Sequence, residues 1–206
     1  RTKKSLRIDA AEEKCSYPIV SKLKKLWDSD ILCSGLNIAA LCHYPTTFSF
    51  YDLKMRYSYS SSSDILKAVD DRAENLFIDY FEQYVFPEIL SETPDLVGIS
   101  INHDYQVIPG LTFSKLLKKR GFYVVIGGVI FTKELEIKKE LFSLCDSFIK
   151  NEGEHSLLEL VKQLENGKNF YSVPNLVWLD QQNKAIIINE VCHVEDLDNL
   201  PTPNFE

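Results

Sequence analysis

The sequence predicts an α/β fold in which helices cover both faces of a parallel sheet and a short β-hairpin follows. Over about residues 30–166, segments typical of strands alternate with segments typical of helices. The strand segments 95–101 and 122–126 are continuous apolar runs, which is typical of parallel strands buried on both faces. After residue 170 two apolar runs flank a polar turn, which indicates the hairpin. Together these patterns are typical of a Rossmann-like or flavodoxin-like sheet.

Composition restricts the class of protein. The chain has 206 residues with a net charge of −7, which argues against a general nucleic-acid binder. No apolar run is long enough to cross a membrane, and no secretory signal follows Arg1, so we expect no membrane partner and a cytoplasmic location. The five cysteines form no C-x-x-C pair, and we expect reduced, mostly buried thiols rather than a metal site.

The first half of the chain is predicted from helical spacing and turn residues. Residues 1–29 form an N-terminal extension of uncertain structure. Beyond it we predict a helix capped by Asp30 that ends before Pro45, a strand, a Ser-rich loop, and a long helix that Pro87 kinks. The strand spans residues 47–53, the Ser-rich loop spans 58–63, and the long helix spans 74–92.

The second half shows the strand–helix alternation most clearly. Its predicted strands cover residues 95–101, 122–126, 147–149, 176–179 and 185–189, and its predicted helices cover 111–120, 135–144 and 155–165. We therefore divide the chain into the extension 1–29, an α/β domain over 30–170, and a hairpin with a linker over 171–206. Since the chain starts at Arg1 and ends in a Pro-containing segment, we expect it to be a piece of a longer protein.

Ligands of open parallel sheets bind beyond the carboxyl ends of the strands, so the loops after Ile101, Ile126 and Ile149 are the candidate site. The first loop carries Asn102 and a His103-Asp104 pair, which is either an acid–base couple or a solvated loop pair. The second begins with Gly127 and Gly128, which either admit a ligand close to the backbone or only form a tight turn.

The third loop is Asn151-Glu152-Gly153-Glu154. Glu154 is placed to offset the dipole of the next helix, and Glu152 is either part of the same capping arrangement or a hydrogen-bonding group for a polar ligand. His43, His155 and His193 are isolated in the sequence, and no role is assigned to them.

Five segments in this order resemble the cobalamin-binding domains of radical S-adenosylmethionine enzymes. They are P-D-L-V-G-I-S (94–100), V-I-G-G (125–128), N-E-G-E-H-S-L-L-E-L (151–160), P-N-L-V (174–177) and D-L-D-N-L-P-T-P-N-F (196–205). The family's Ser-x-Leu element falls on Ser100-Ile101-Asn102, with Asn in place of Leu, and its Asp-x-His-x-x-Gly element has no counterpart here.

The resemblance implies cobalamin as the cofactor and assigns roles to nine residues. Ser100, Gly127 and Gly128 would line a slot for the cofactor's nucleotide tail, and backbone amides near Gly128 and Val129 would donate to it. The corrin ring would lie near Asn102, His103 and Tyr105. The third loop would add Glu152 and Gly153.

The resemblance also implies a partner: a radical S-adenosylmethionine domain of the same parent chain, holding an iron–sulfur cluster and S-adenosylmethionine. This sequence has no Cys-x-x-x-Cys-x-x-Cys motif, so we expect no radical chemistry and no catalytic residue in it. The parent would be a methyltransferase that uses methylcobalamin as methyl donor. Two alternatives stay open, namely a flavodoxin-like or receiver-like binding module, and a degenerate scaffold of the same fold without cofactor.

Overall fold

The computed structural model describes residues 47–48, 53–167 and 169–193. The predicted helix after Asp30, the extension 1–29 and the linker beyond residue 193 lie outside them. The described residues fall into two compact units, the first comprising those up to Pro94 with Asp104–Leu116, and the second comprising Asp95–His103 with those from Leu117 onward.

The first unit is mainly helical. Its strands β1 (Thr47–Phe48) and β2 (Leu53–Lys54) pair antiparallel with each other. The single strand predicted over residues 47–53 is therefore wrong, because the chain reverses direction between its two ends. The helices are α1 (Ser62–Ala68), α2 (Phe77–Tyr80), a π-helical turn (Phe81–Val85), α3 (Phe86–Glu92) and α4 (Val107–Lys119), whose last residues belong to the second unit.

The helix starts and stops in this unit follow from particular side chains. Ser61 caps α1 by accepting a hydrogen bond from the Asp64 N–H, so part of the predicted Ser-rich loop is a helix start. The predicted long helix over 74–92 is interrupted by the π-helical turn, directly before Pro87 in the first turn of α3. It ends at Thr93, whose left-handed backbone (φ 46°) precedes Pro94.

The second unit contains a five-stranded sheet in the order β3 (Leu96–Ser100), β4 (Tyr123–Gly127), β5 (Ser147–Ile149), β6 (Leu176–Asp180), β7 (Ala185–Ile188). Strands β3, β4 and β5 are parallel, whereas β6 runs antiparallel to β5 and pairs with β7 as the predicted hairpin. The five strands predicted for the second half of the chain are thus all present, and the hairpin extends the same sheet.

Helical segments cover both faces of this sheet, as predicted. On one face α6 (Glu154–Asn166) contributes Leu160 to a buried cluster with Val125, Ile149 and Leu176. On the other face the Phe148 ring packs against Phe131 at 4.9 Å and Phe142 at 5.4 Å between centroids. Successive residues of a strand point to opposite faces, which explains why the apolar runs of β4 and β5 are uninterrupted. The predicted α/β fold class is confirmed.

One predicted helix of this unit is misplaced. The segment predicted as a helix over 135–144 is instead a 3₁₀ turn at Lys139–Ser143, and the helix α5 lies earlier, at Val129–Lys133. The 3₁₀ turn still buries Leu141 and Phe142, the residues that produced the apolar pattern. Helix α4 begins at Val107 rather than at Leu111, because Pro109 lies in its first turn, where no backbone donor is needed.

Two further features concern the whole described region. Cys145 is buried and Cys192 exposed, both as free thiols, and burial raises the pKa of the Cys145 thiol.

None of the helices in residues 47–48, 53–167 and 169–193 combines the length and the apolarity that crossing a bilayer requires.

Candidate functional site

A pocket of about 840 Å³ opens beyond the carboxyl ends of β3, β4 and β5, entirely within the second unit. We call it the strand-end pocket. Its volume lies within the range of about 300–1,000 Å³ that is usual for small-molecule sites. Its position is the one that the parallel strands predict, because the three loops of the candidate site leave the sheet at this edge.

Small residues of two adjacent strands form the floor of the strand-end pocket. Ser100 and Gly127 are register partners in β3 and β4, and Gly98 is the partner of Val125. Gly98 and Ser100 are both exposed, so the end of β3 presents an open surface instead of packed side chains. Leu157 of α6 contributes to the wall on the same face. The floor is therefore a shallow slot between a strand pair and a helix.

The two predicted glycines have different reasons to be glycine. At Gly128 the backbone has φ 107° and ψ 160°, and an added Cβ would lie 2.1 Å from the carbonyl oxygen of Ile101. Gly128 is thus required by the close approach of two backbone segments, although it also lines the pocket. At Gly127 an added Cβ would meet nothing closer than the Ile149 carbonyl oxygen at 3.8 Å. Gly127 is the position where a missing side chain leaves room for a ligand.

Asn102 links the β3 loop to the start of α5. Its Oδ1 accepts a hydrogen bond from the Val129 N–H at 3.2 Å, and its Nδ2 donates to Ser100 Oγ at 3.1 Å. The Val129 amide, which was expected to donate to a ligand, donates to the Asn102 side chain in this structure. Asn102 thus caps the start of α5 from 27 residues earlier in the chain.

The third loop contacts α5, and a buried asparagine holds it in place. Asn175 donates to the Glu152 carbonyl oxygen at 3.0 Å and to Ser156 Oγ at 3.1 Å. It also exchanges hydrogen bonds with the backbone of Cys192, at 2.8 Å each. Asn175 has φ 59°, a left-handed conformation that asparagine tolerates better than most residues. It thus joins the loop after β5 to the segment after β7.

That segment brings His193 to the pocket, where His193 Nδ1 lies 3.8 Å from Glu152 Oε2. The interpretation of His193 as an isolated residue without a role is corrected by this placement. Glu154 sits in the first turn of α6, where it offsets the helix dipole, and it also lines the pocket. No group of three or more metal-ligating side chains occurs in the part of the chain that the structure describes.

Seven of the nine predicted site residues line the strand-end pocket: Ser100, Asn102, Gly127, Gly128, Val129, Glu152 and Gly153. His103 is in the second unit but is not among the lining residues. Tyr105 belongs to the first unit, where it lines a separate cavity of about 340 Å³ with Tyr57 and Tyr59. His103 and Tyr105 are therefore not among the residues that line the strand-end pocket.

Several lining residues were not predicted, among them Gly98, Thr132, Lys133, Asn151 and His193. Gly98 could have been found, since it stands two residues before Ser100 and so shares its face. The N–H of Asn151, a left-handed residue with φ 58°, donates to Thr132 Oγ1 at 2.9 Å. Thr132 and Lys133 depend on the position of α5, which the sequence pattern misplaced.

Comparison with known proteins gives one informative similarity. No family model matches the sequence. The chain is 26% identical over 147 residues to a protein of Pyrococcus horikoshii named as an uncharacterized methyltransferase. The match covers 68% of this chain and 30% of that protein, so the chain spans less than a third of the relative's length.

Proposed function

We propose that this chain is the cobalamin-binding domain of a larger cobalamin-dependent radical S-adenosylmethionine enzyme, and that the parent is a methyltransferase. The observation that carries the proposal is the register pairing of Ser100 with Gly127, which opens the floor of an 840 Å³ pocket at the ends of parallel strands. A sheet with larger side chains at these two positions would have no slot there.

The residues present fit the shape and chemistry of cobalamin. Its nucleotide tail ends in a flat aromatic base, and Gly98, Ser100 and Gly127 leave a surface against which a flat group can lie. Its corrin ring carries many amide groups, and the rim of the pocket offers polar partners in Asn151 and Glu152. When bound, methylcobalamin supplies a methyl group carried on cobalt.

In this arrangement the residues of this chain bind the cofactor and orient it. The slot between β3 and α6 holds the nucleotide tail. Asn175 fixes the position of the Glu152 loop at the rim of the pocket. Because such a rim is already rigid, little conformational entropy of the loop is lost when a ligand binds.

The similarity to a named methyltransferase supports methyl transfer as the parent's reaction. The relative is more than three times as long as the matched segment, which leaves room for further domains. A second domain is required by the proposal, because an iron–sulfur cluster of the radical type needs a cysteine motif that this sequence does not contain.

The test is retention of hydroxocobalamin by the full chain after desalting, measured by the visible absorbance of the corrin. Gly127→Val should abolish retention while the far-UV circular dichroism stays unchanged, because a β-branched residue suits a strand and its Cβ has space. Bulk at Gly128 would not test the slot, since it would collide with the Ile101 backbone first.

Ala185→Val is the matched control, because Ala185 is an exposed strand position in β7 outside the strand-end pocket. Equal retention by wild type and Gly127→Val would remove the slot from the site. Retention of flavin mononucleotide in place of cobalamin would favour the flavodoxin-like alternative, and failure to retain either would favour the scaffold alternative.

A further inference from the structure

We propose that Lys133 is the counter-ion for the phosphodiester of the bound nucleotide tail, so that the strand-end pocket prefers corrinoids that carry the tail over corrinoids that lack it. This inference rests on the proposed function and adds a specificity-determining residue to it. It starts from the charges that surround the pocket.

Lys133 is the last residue of α5, is exposed, and lines the strand-end pocket. Within the described residues it has no carboxylate partner, unlike Lys115, which pairs with Asp70, and Lys118, which lies 2.6 Å from Asp146. A lysine without a partner can accept an anion without first breaking an existing ion pair.

The charged residues of the pocket come from two elements. Of the described lining residues, Lys133 is the one lysine or arginine, and it comes from α5. The carboxylates Glu152 and Glu154 come from the loop before α6 and its first turn. A ligand that carries both an anionic group and N–H donors can pair with both kinds of side chain. Cobalamin is such a ligand, since its phosphodiester is anionic and its corrin amides are donors.

A purely local role for Lys133 also has to be considered. A cation at the carboxyl end of a helix is favoured by the helix dipole, and Lys133 is in the last turn of α5. Lys119 has the same kind of position in the last turn of α4, is exposed, and does not line the pocket. It therefore provides a control in which the dipole role is present and the ligand role is absent.

The experiment compares hydroxocobalamin with hydroxocobinamide, a corrinoid that lacks the phosphate, ribose and base, by isothermal titration calorimetry. The proteins are wild type, Lys133→Met, Lys133→Arg and Lys119→Met, each as the full chain. Every variant is compared with wild type for the same ligand, so differences in the axial ligands of cobalt cancel.

We expect Lys133→Met to weaken cobalamin binding about five-fold at low salt, because an exposed charge pair contributes modestly. Its cobinamide binding should stay within about two-fold of wild type, since no phosphate is present to lose its partner. Lys133→Arg and Lys119→Met should bind both ligands as wild type does. The five-fold difference should shrink at about 0.5 M salt, where charges are strongly screened.

Two results would overturn the role of Lys133 while the proposed function stands. One is wild-type binding of both ligands by Lys133→Met, and the other is an equal loss for both ligands, which would place Lys133 against the corrin or in the fold. If the wild-type protein binds neither corrinoid, the proposed function fails and the role of Lys133 fails with it.

Discussion

Replacing each of two adjacent glycines by alanine should change the stability of this protein in opposite directions. At Gly127 the new methyl group would enter open space, with its nearest neighbour 3.8 Å away. Since alanine loses less conformational entropy on folding than glycine, Gly127→Ala should raise the free energy of unfolding by about 0.5–1 kcal/mol. The same methyl group should reduce cobalamin retention, because it occupies the floor of the strand-end pocket.

At Gly128 the same substitution meets two penalties. The backbone conformation, φ 107° and ψ 160°, is restricted to glycine and costs any other residue about 1–3 kcal/mol. The new Cβ would also lie 2.1 Å from the Ile101 oxygen, and relief of such an overlap costs about 1–3 kcal/mol more. We therefore expect Gly128→Ala to lower the free energy of unfolding by at least about 2 kcal/mol.

Urea unfolding followed by the fluorescence of Trp178, in a Trp27→Phe background, measures both effects, because Trp178 lies in β6 of the same sheet. With a slope of about 2–3 kcal/mol per molar urea, the Gly128→Ala midpoint should fall by about 0.7 M or more. The Gly127→Ala midpoint should rise slightly. A Gly128→Ala midpoint equal to that of wild type would refute the reasoning, and so would a loss at Gly127→Ala larger than that at Gly128→Ala.

Two further perturbations test the supports of the sheet and of its loops. Asn175→Ala removes a buried amide that hydrogen-bonds Glu152, Ser156 and Cys192, and should lower the free energy of unfolding by about 3 kcal/mol and weaken cobalamin retention. Asn175→Gly controls for the left-handed backbone, and wild-type behaviour of both variants in urea titrations would contradict the role of the side chain. Burial raises the pKa of Tyr123 to about 12, so its contribution to stability is complete below pH 10 and is lost as the pH rises from 10 towards 12. Tyr123→Phe should therefore show a shallower fall in the urea midpoint between pH 9 and 11, and identical slopes for the two proteins would show that Tyr123 does not titrate as described.

The parallel part of the sheet could be predicted because its strands carry their own signal. The run Val124-Val125-Ile126 is apolar at every position, and the structure buries it on both faces. Helix α5 carries no such signal. Its cap is the side chain of Asn102, 27 residues away, so a local pattern could not place its start. The strand predicted over 47–53 failed for a related reason, because alternation does not reveal a reversal of direction.

The candidate site was predictable to the extent that it depends on parallel strands. Ser100 and Gly127 end β3 and β4, Glu152 follows β5, and the carboxyl ends of these strands meet at one edge of the sheet. His193 and Asn175 lie near that edge for a different reason: β6 starts there and β7 returns to it. The sequence predicted a hairpin but contained no local signal for the strand against which the hairpin pairs.

The turn of the hairpin and the segments that flank the hairpin lie at opposite edges of the sheet, so they can be altered independently. Residues 172–175 and 190–193 flank it at the edge of the strand-end pocket, whereas its turn, residues 181–184, is exposed at the opposite edge. Exposed turns of this kind usually tolerate insertions. A fluorescent label or affinity tag placed in the turn would therefore report on this protein from the side remote from the strand-end pocket.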